Sequence, residues 1–435
     1  MTNLEAAPKR DMRMPFEVPP GGWTRNAGLG TEDISFEDSI SPEFFELERE
    51  AVFRRSWLHV GRTSQIPEPG DYFTKELPTL SASLIVARGE DGVVRAFHNI
   101  CSHRGNKLVW DDHPSQEVCG KAKRFTCKYH NWQYDTAGTC RQVNMKGWFF
   151  DLDMADYSLV GVPCDVWEGF IFVNLDKEPR DTLTEFLGEI GMGASGYPFG
   201  LMTQMYRFRS EINANWKLFE DAFQEQYHGN SLHHKLIDER STGPLRGSQG
   251  SYFEIHGRHN VWSTAVPAAA QDLVRPPRPM ERIFEASLWG QLDGPGLPDA
   301  PLPRLANPTD HPDWTSTMLH IYPNLDIILW KTGYITTYTY WPTAVDRHIY
   351  DARLYYQPPR NATDRLAQEL SAVEFKEFCL QDANTLEATQ SMLRTRVRST
   401  FPICDEEVQV RHNHKEVVDA VEAYKAELAG QGDVS

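Results

Sequence analysis

Two short stretches constrain this chain more than any other: Cys101-Ser-His103-Arg-Gly105 and Phe125-Thr-Cys127-Lys-Tyr-His130-Asn-Trp132. Each pairs a thiol with an imidazole, Cys-x-His in the first and Cys-x-x-His in the second. Two thiolates and two imidazoles from two loops make a complete four-ligand set. In a two-iron, two-sulfur cluster the cysteines can hold one iron and the histidines the other, which raises the reduction potential above that of an all-cysteine cluster. Neutral imidazoles leave the reduced cluster less negative, so it takes an electron more readily. Cys2His2 is also a zinc set, although zinc pairs more often read Cys-x2-4-Cys with His-x3-5-His. Zinc stays open as the second reading, and it predicts a colourless protein where the cluster predicts a brown one.

The sequence around these loops reads as short strands. From Trp57 to about Leu175, apolar runs such as Ser83–Ala87, Val93–Phe97 and Phe170–Leu175 alternate with turn residues (Pro69-Gly70, Glu90-Asp91-Gly92, Ala137-Gly138), the pattern of an all-β module. Upstream, Ser41 and Pro42 suit the cap and first position of a helix. Downstream, residues 181–196 read as helix, 206–212 as strand and Asn215 to about Tyr227 as helix. Residues 240–315 read as irregular and 317–356 as four strands. A long helix follows over about 363–393, with Leu366, Leu370, Val373 and Phe378 at helical spacing.

A second dense constellation lies in Asn215-Trp-Lys-Leu-Phe-Glu220-Asp221-Ala-Phe-Gln-Glu225-Gln-Tyr227-His228-Gly-Asn-Ser-Leu-His233-His234. Glu225 and His228 are three apart, so a helix places them on one face. His228 and His233 are five apart, roughly 140° on a straight helix. They can share a metal only if the helix breaks between them, and Gly229-Asn230 offers that break. Two histidines with one carboxylate form a facial triad that leaves iron positions open for dioxygen. Asp382, in Gln381-Asp382-Ala-Asn384-Thr-Leu-Glu387, offers the carboxylate from the late helix.

Together these motifs resemble the large (alpha) subunits of Rieske non-heme iron ring-hydroxylating oxygenases, over about residues 41–400. Two positions depart from the family pattern: Lys128 follows the second cysteine and Asn131 follows the second histidine, where Pro or Ser and then Gly are common. The segment from Arg104 to Thr126 is also long, and it carries His113 and Cys119. The resemblance implies an α+β protein in three parts. Residues 1–55 would be an N-terminal arm and helix packing with the catalytic domain. Residues 56–175 would form an all-β Rieske [2Fe-2S] domain, inserted beside an α+β catalytic domain (176–435) with an antiparallel sheet flanked by helices. It implies that Cys101, His103, Cys127 and His130 hold the [2Fe-2S] cluster, and that His228, His233 (preferred on spacing to His234) and Asp382 hold a mononuclear Fe(II). Glu225 matches the carboxylate that links the Rieske histidine of one subunit to the iron histidine of its neighbour. That path implies a head-to-tail homotrimer, with or without a β subunit, fed by a reductase or ferredoxin. No Gly-rich dinucleotide fingerprint suggests direct NADH binding.

Composition narrows the function classes. The net charge of −17, from 44 basic and 61 acidic residues, opposes binding to a phosphate backbone. No apolar run reaches the roughly 18 residues that span a bilayer, and seven irregularly spaced cysteines suggest a reducing cytoplasm. The leading expectation is cis-dihydroxylation of an aromatic or related hydrophobic small molecule. Its close rival is monooxygenation or demethylation of a methoxyarene, N-methyl or quaternary amine substrate. An electron carrier without catalysis would leave the second constellation without purpose. Trp262, Phe284, Trp289, Trp314, Trp330 and Tyr338 are candidate pocket walls, and Arg246, Arg258 and Arg282 candidate partners for a substrate carboxylate.

Overall fold

The computed structural model describes residues 22–225, 227–233, 251–265 and 296–432. They fall into two compact units, Glu48–Phe186 in one and the residues before and after it in the other. Helix α1 (Pro42–Glu48) starts where expected: Ser41 Oγ accepts from the Phe44 amide at 3.1 Å, and Pro42 takes the first helical position.

The unit Glu48–Phe186 is built of short antiparallel strands: β1 (Leu58–Arg62), β2 (Asp71–Leu77), β3 (Ala82–Arg88), β4 (Val94–His98), β5 (Cys119–Lys121), β6 (Arg124–Thr126), β7 (Gln133–Asp135), β8 (Cys140–Gln142), β9 (Gly161–Val162), β10 (Cys164–Trp167) and β11 (Phe170–Val173). They form three sheets, in the orders β9-β4-β3-β2-β5, β10-β11-β1 and β6-β7-β8. One apolar core, including Ile85, Phe97, Phe125, Trp132 and Tyr134, also takes in Cys101 and Cys127. Gly138 packs so closely on this core that a Cβ there would sit 2.4 Å from the Phe97 ring, and its φ is +83°. Only glycine meets both demands. The long segment after Arg104 ends by building sheet: β5 pairs with β2, Asp71 opposite Lys121 and Phe73 opposite Cys119. His113 is exposed and bonded to Ser115 Oγ at 2.7 Å, and Cys119 is exposed on β5.

The other unit contains α2 (its part after Phe186; Leu183–Ala194 in all), β12 (Gln204–Ile212), α3 (Trp216–Phe223), α4 (Gly229–Leu232), β13 (Ser251–His256), β14 (His259–Ala265), β15 (Trp314–Ile321), β16 (Leu325–Trp330), β17 (Ile335–Ala344), β18 (Arg347–Tyr356), α5 (Ala362–Leu393) and α6 (Val408–Gly432). Seven antiparallel strands run β12-β18-β17-β16-β15-β14-β13. Within 240–315, read as irregular, β13 and β14 form a hairpin whose two-residue turn holds Gly257 at φ +63°. The alternation Tyr252-Phe-Glu-Ile-His256 was its signal. The long helix α5 forms as expected, and Phe378 of the spaced residues is buried, but Leu366 and Val373 are 45% and 54% exposed; Ala367, Ser371, Phe375 and Asp382 complete the buried face. Small side chains bring the helix close to the sheet: Tyr356 Oη donates to Ser371 Oγ at 3.0 Å, and Tyr338 stacks on Phe375. Of the N-terminal arm, residues 22–40 lie along the start of α6, with the Trp23 and Thr24 amides donating to Asp405. No described helix is long and apolar enough to cross a membrane.

Candidate metal centres

The two Cys/His loops have the same backbone. The Cys101 amide donates to Asn106 O at 2.8 Å and the Gly105 amide to Cys101 O at 3.1 Å; the Cys127 amide donates to Trp132 O at 2.8 Å and the Asn131 amide to Cys127 O at 3.0 Å. In both, the fourth residue after the cysteine is left-handed, Gly105 at φ +71° and Asn131 at φ +61°. Asn is the residue that tolerates this conformation best after Gly, so the departure at Asn131 keeps the loop's shape. Both cysteines are 2% exposed. Burial raises the pKa of Cys101, and the neighbouring Cys127 thiol adds to the rise. A metal that replaces the thiol protons resolves that cost. His103 stacks on Trp132 with rings 6° from parallel, and its centroid lies 4.6 Å from that of His130. Burial, with His130 and Arg104 alongside, lowers the His103 pKa and keeps the ring neutral. Its Nδ1 is buried with no hydrogen-bond partner. A neutral His103 ring, an orphaned ring nitrogen and paired buried thiols fit a [2Fe-2S] cluster.

The second constellation converges more tightly than a single helix would allow. Helix α3 ends at Phe223, and Gln224 closes it. The break therefore lies between Phe223 and His228, and Gly229-Asn230 instead begin α4, with His228 as its N-cap and His233 as its C-cap. His228 Nε2 and His233 Nε2 are 3.2 Å apart, and Asp382 Oδ1 lies 3.5 Å and 3.3 Å from them. The outer nitrogens are already committed. His228 Nδ1–H donates to Glu225 Oε1, whose other oxygen accepts the His228 amide at 3.1 Å; His233 Nδ1–H donates to Gln381 Oε1 at 2.8 Å. Both Nε2 lone pairs therefore face the Asp382 oxygen, which is buried and has no hydrogen-bond donor. Three converging acceptors make a site that favours a cation. Glu225 and Asp382, outweighing burial, raise the pKa of His228, so the cluster draws positive charge. The donor set fits iron.

A second buried group, Glu220, His320 and Asp326, has ligand atoms equally close but different proton accounting. Asp326 Oδ1 accepts from His320 Nδ1 and Gln224 Nε2, both at 2.9 Å, and Oδ2 accepts from Tyr340 Oη at 3.0 Å. Its carboxylate is satisfied, and a metal would have to displace those donors.

A cavity of about 130 Å³ opens on the first group, walled by Phe223, Trp262, Met318, Trp330, Tyr338, Phe375 and Phe378. Trp262, Trp330 and Tyr338 thus stand where the wall reading put them, whereas Trp314 is buried with its Nε1 on Thr317. Arg258 is exposed over the Tyr322 ring. His234, Arg246, Arg282, Phe284 and Trp289 lie outside the described residues. Sequence reasoning missed Gln381 and Gln224, whose roles depend on contacts distant in sequence.

The sequence profile of the ring hydroxylating alpha subunit (catalytic domain) matches residues 199–423, and that of the Rieske [2Fe-2S] domain matches residues 56–149. The chain belongs to the ring-hydroxylating alpha-subunit family. Members carry a [2Fe-2S] cluster and a mononuclear iron, and this chain is a Rieske oxygenase. It is 26% identical over 362 residues to the carnitine monooxygenase oxygenase subunit of Acinetobacter pittii, covering 82% of this chain and 84% of the relative. It is 32% identical over 194 residues to the chloroplastic choline monooxygenase of Spinacia oleracea, covering 43% and 42%. Its fold matches a quaternary ammonium Rieske monooxygenase in complex with L-carnitine (TM-score 0.65, 19% identity, 88% of this chain and 95% of that one). It also matches naphthalene 1,2-dioxygenase from Rhodococcus sp. bound to indole (TM-score 0.65, 19% identity, 89% and 94%).

Proposed function

We propose that this Rieske oxygenase is the terminal component of a monooxygenase acting on a small quaternary or N-methylated amine. The observation that carries this reading is the cavity beside His228, His233 and Asp382. At about 130 Å³ it is well below the ~300–1,000 Å³ of pockets for drug-sized ligands. Six aromatic side chains line it, Phe223, Trp262, Trp330, Tyr338, Phe375 and Phe378, with the aliphatic Met318 and Ile328 among them. Aromatic faces attract an ammonium group that cannot donate hydrogen bonds, by roughly 2 kcal/mol or more once it is desolvated. The carnitine, glycine betaine and choline monooxygenases among its relatives support the same substrate class. The aromatic walls would also receive a planar arene, and the match to naphthalene dioxygenase keeps cis-dihydroxylation as the second reading.

In this proposal Cys101, His103, Cys127 and His130 hold the cluster, and His228, His233 and Asp382 hold the iron. When bound, the two centres supply one-electron transfer and dioxygen activation. The protein's part is positioning. Gln381 and Glu225 fix the tautomers of His233 and His228 so that both Nε2 atoms face inward. The aromatic walls exclude water and hold an N-methyl group toward the open side of the site. Glu225, already on His228 Nδ1, extends that histidine toward an electron-donating His103 or His130. The donor chain would be a second copy of this chain, in a homotrimer; inter-subunit electron transfer is described for a quaternary ammonium Rieske monooxygenase of the same fold. A reductase or ferredoxin would supply the electrons.

Turnover under labelled dioxygen separates the readings. A quaternary amine that consumes oxygen and yields one labelled oxygen per product, or an aldehyde with loss of an N-substituent, supports the proposal. An arene that yields a diol with two labelled oxygens, with no amine turned over, overturns it. His228→Ala should leave two irons per chain in place of three with the cluster spectrum unchanged. Three irons retained would remove His228 from the ligand set.

A further inference from the structure

Gln224 and Glu225 belong to neither helix: α3 ends at Phe223 and α4 starts at Gly229, with His228 as its N-cap. His228 is joined to α4 through its carbonyl, which accepts from the Leu232 amide at 2.8 Å, so the position of Glu225 is the one that neither helix sets. Gln224, beside it, is firmly anchored. Gln224 is 0% exposed, and its amide donates to Asp326 Oδ1 at 2.9 Å. Asp326 lies on β16, the middle strand of seven. It pairs across the sheet with His320 on β15 and Tyr338 on β17. It is 0% exposed, and His320 Nδ1 and Tyr340 Oη lock both its oxygens, at 2.9 Å and 3.0 Å. The carboxylate cannot swing without losing donors in a dry site, where unpaired charge is costly. It is therefore a fixed point in the sheet, and Gln224 ties the residues that follow α3 to it.

The other two members of the metal group are anchored separately: Asp382 within α5, and His233 through Gln381 of the same helix. His228 is joined to α4 by its carbonyl, and the carboxylate that sets its ring, Glu225, follows Gln224 directly. We infer that Asp326, acting through Gln224, is a positioning residue that keeps His228 Nε2 in register with His233 and Asp382. This rests on the iron-ligand reading above. It also accounts for the second His/carboxylate group. Asp326, with protons from His320, Gln224 and Tyr340 on its oxygens, is the anchored member of that group.

Second-sphere partners of metal ligands typically contribute 10–100-fold in affinity or activity. Gln224→Met keeps length and apolar volume but cannot donate to Asp326. In the iron-loaded enzyme it should weaken ferrous iron retention about 10-fold or more, and lower the product formed per dioxygen consumed. It should also alter the electron paramagnetic resonance line shape of the ferrous–nitric oxide complex, which reports ligand geometry. The cluster spectrum should be unchanged. Asp326→Asn keeps an acceptor oxygen for Gln224 and should recover most of the wild-type line shape and iron retention. Wild-type line shape, retention and coupling in Gln224→Met would overturn the inference. So would equal losses in both variants accompanied by equal falls in melting temperature, the mark of a structural role alone. His228→Ala separates this from the ligand reading: if it keeps the third iron, the ligand assignment itself is wrong.

Discussion

Tyr134→Phe should lower the reduction potential of the cluster by about 50 mV, and the reasoning can be followed atom by atom. Tyr134 is 0% exposed, and its oxygen lies 3.4 Å from Cys101 Sγ and 3.1 Å from the Ser102 amide. The amide N–H donates into the phenol oxygen. The phenol's own proton therefore points at the sulfur, which carries no proton once it ligates iron. Reduction adds negative charge that the sulfurs share, so this O–H···S bond strengthens in the reduced state. Hydrogen bonds to charged groups contribute ~1.5–3 kcal/mol, and only the difference between redox states moves the potential. A difference of about 1.2 kcal/mol corresponds to about 50 mV for one electron, at ~59 mV per tenfold change. The same variant strands the Ser102 amide, so stability should fall by about 1–3 kcal/mol. A dye-mediated titration followed by circular dichroism of the cluster measures the shift. A potential within about 15 mV of wild type, or a rise, would show that the phenol does not act on the cluster sulfur.

Three further outcomes follow from particular residues. Glu225→Ala should leave both metal centres loaded and reduce steady-state turnover by roughly 100-fold or more, the upper end of what a second-sphere partner contributes; wild-type turnover would remove Glu225 from the electron path. Asn131→Gly should be nearly neutral, whereas Asn131→Val should cost about 1–2 kcal/mol because a β-branched residue cannot take φ +61° cheaply. Denaturation midpoints and cluster content check both. His414 is buried between Asp38 (2.8 Å) and Asp221 (3.0 Å); burial pushes its pKa down, but the two carboxylates dominate and hold it at about 10. The nearby Lys217 helps keep Asp38 ionised. Because the folded pKa lies above the unfolded value of ~6.5, this contribution is complete below about pH 6.5 and is lost as pH rises through about 10, at up to ~1.4 kcal/mol per unit. Urea midpoints at pH 7 and 9.5 should differ in the wild type and differ less in His414→Gln.

What the sequence made legible follows from how local each feature is. The Cys/His loops close through backbone bonds four and five residues apart, so spacing alone specifies them, and Asn131 adopts the left-handed conformation that Gly105 takes in the partner loop. The four strands of 317–356 announce themselves by alternation. Local propensity puts the break between Glu225 and His233 at Gly229-Asn230, but α3 already ends at Phe223, and Gln224 reaches a strand about a hundred residues away. The buried face of α5 was misread for a related reason. Its larger aliphatic residues suggested the core side, yet Ala367, Ser371 and Ala372 are what permit close approach to the sheet. The hairpin Ser251–Ala265 was hidden by the Pro- and Gly-rich sequence around it. The cavity walls come from α3, β14, β15, β16, β17 and α5, so no window of sequence contains them.

The two His/carboxylate groups of this unit show why residue type alone does not define a metal centre. Both bring buried carboxylate and imidazole atoms within 4.8 Å of one another. Around Asp326 the protons point inward, from His320, Gln224 and Tyr340. The charge is quenched, and the group can serve as a rigid anchor. Around Asp382 the protons point outward, to Glu225 and Gln381, leaving lone pairs on the inside. Reversing one of these outer bonds should therefore matter more than removing a neighbouring apolar group. A Gln381→Lys change would press an ammonium donor against His233 Nδ1, favour the other tautomer and turn an Nε2–H into the site. The position would then repel iron even though all three ligand side chains remained in place.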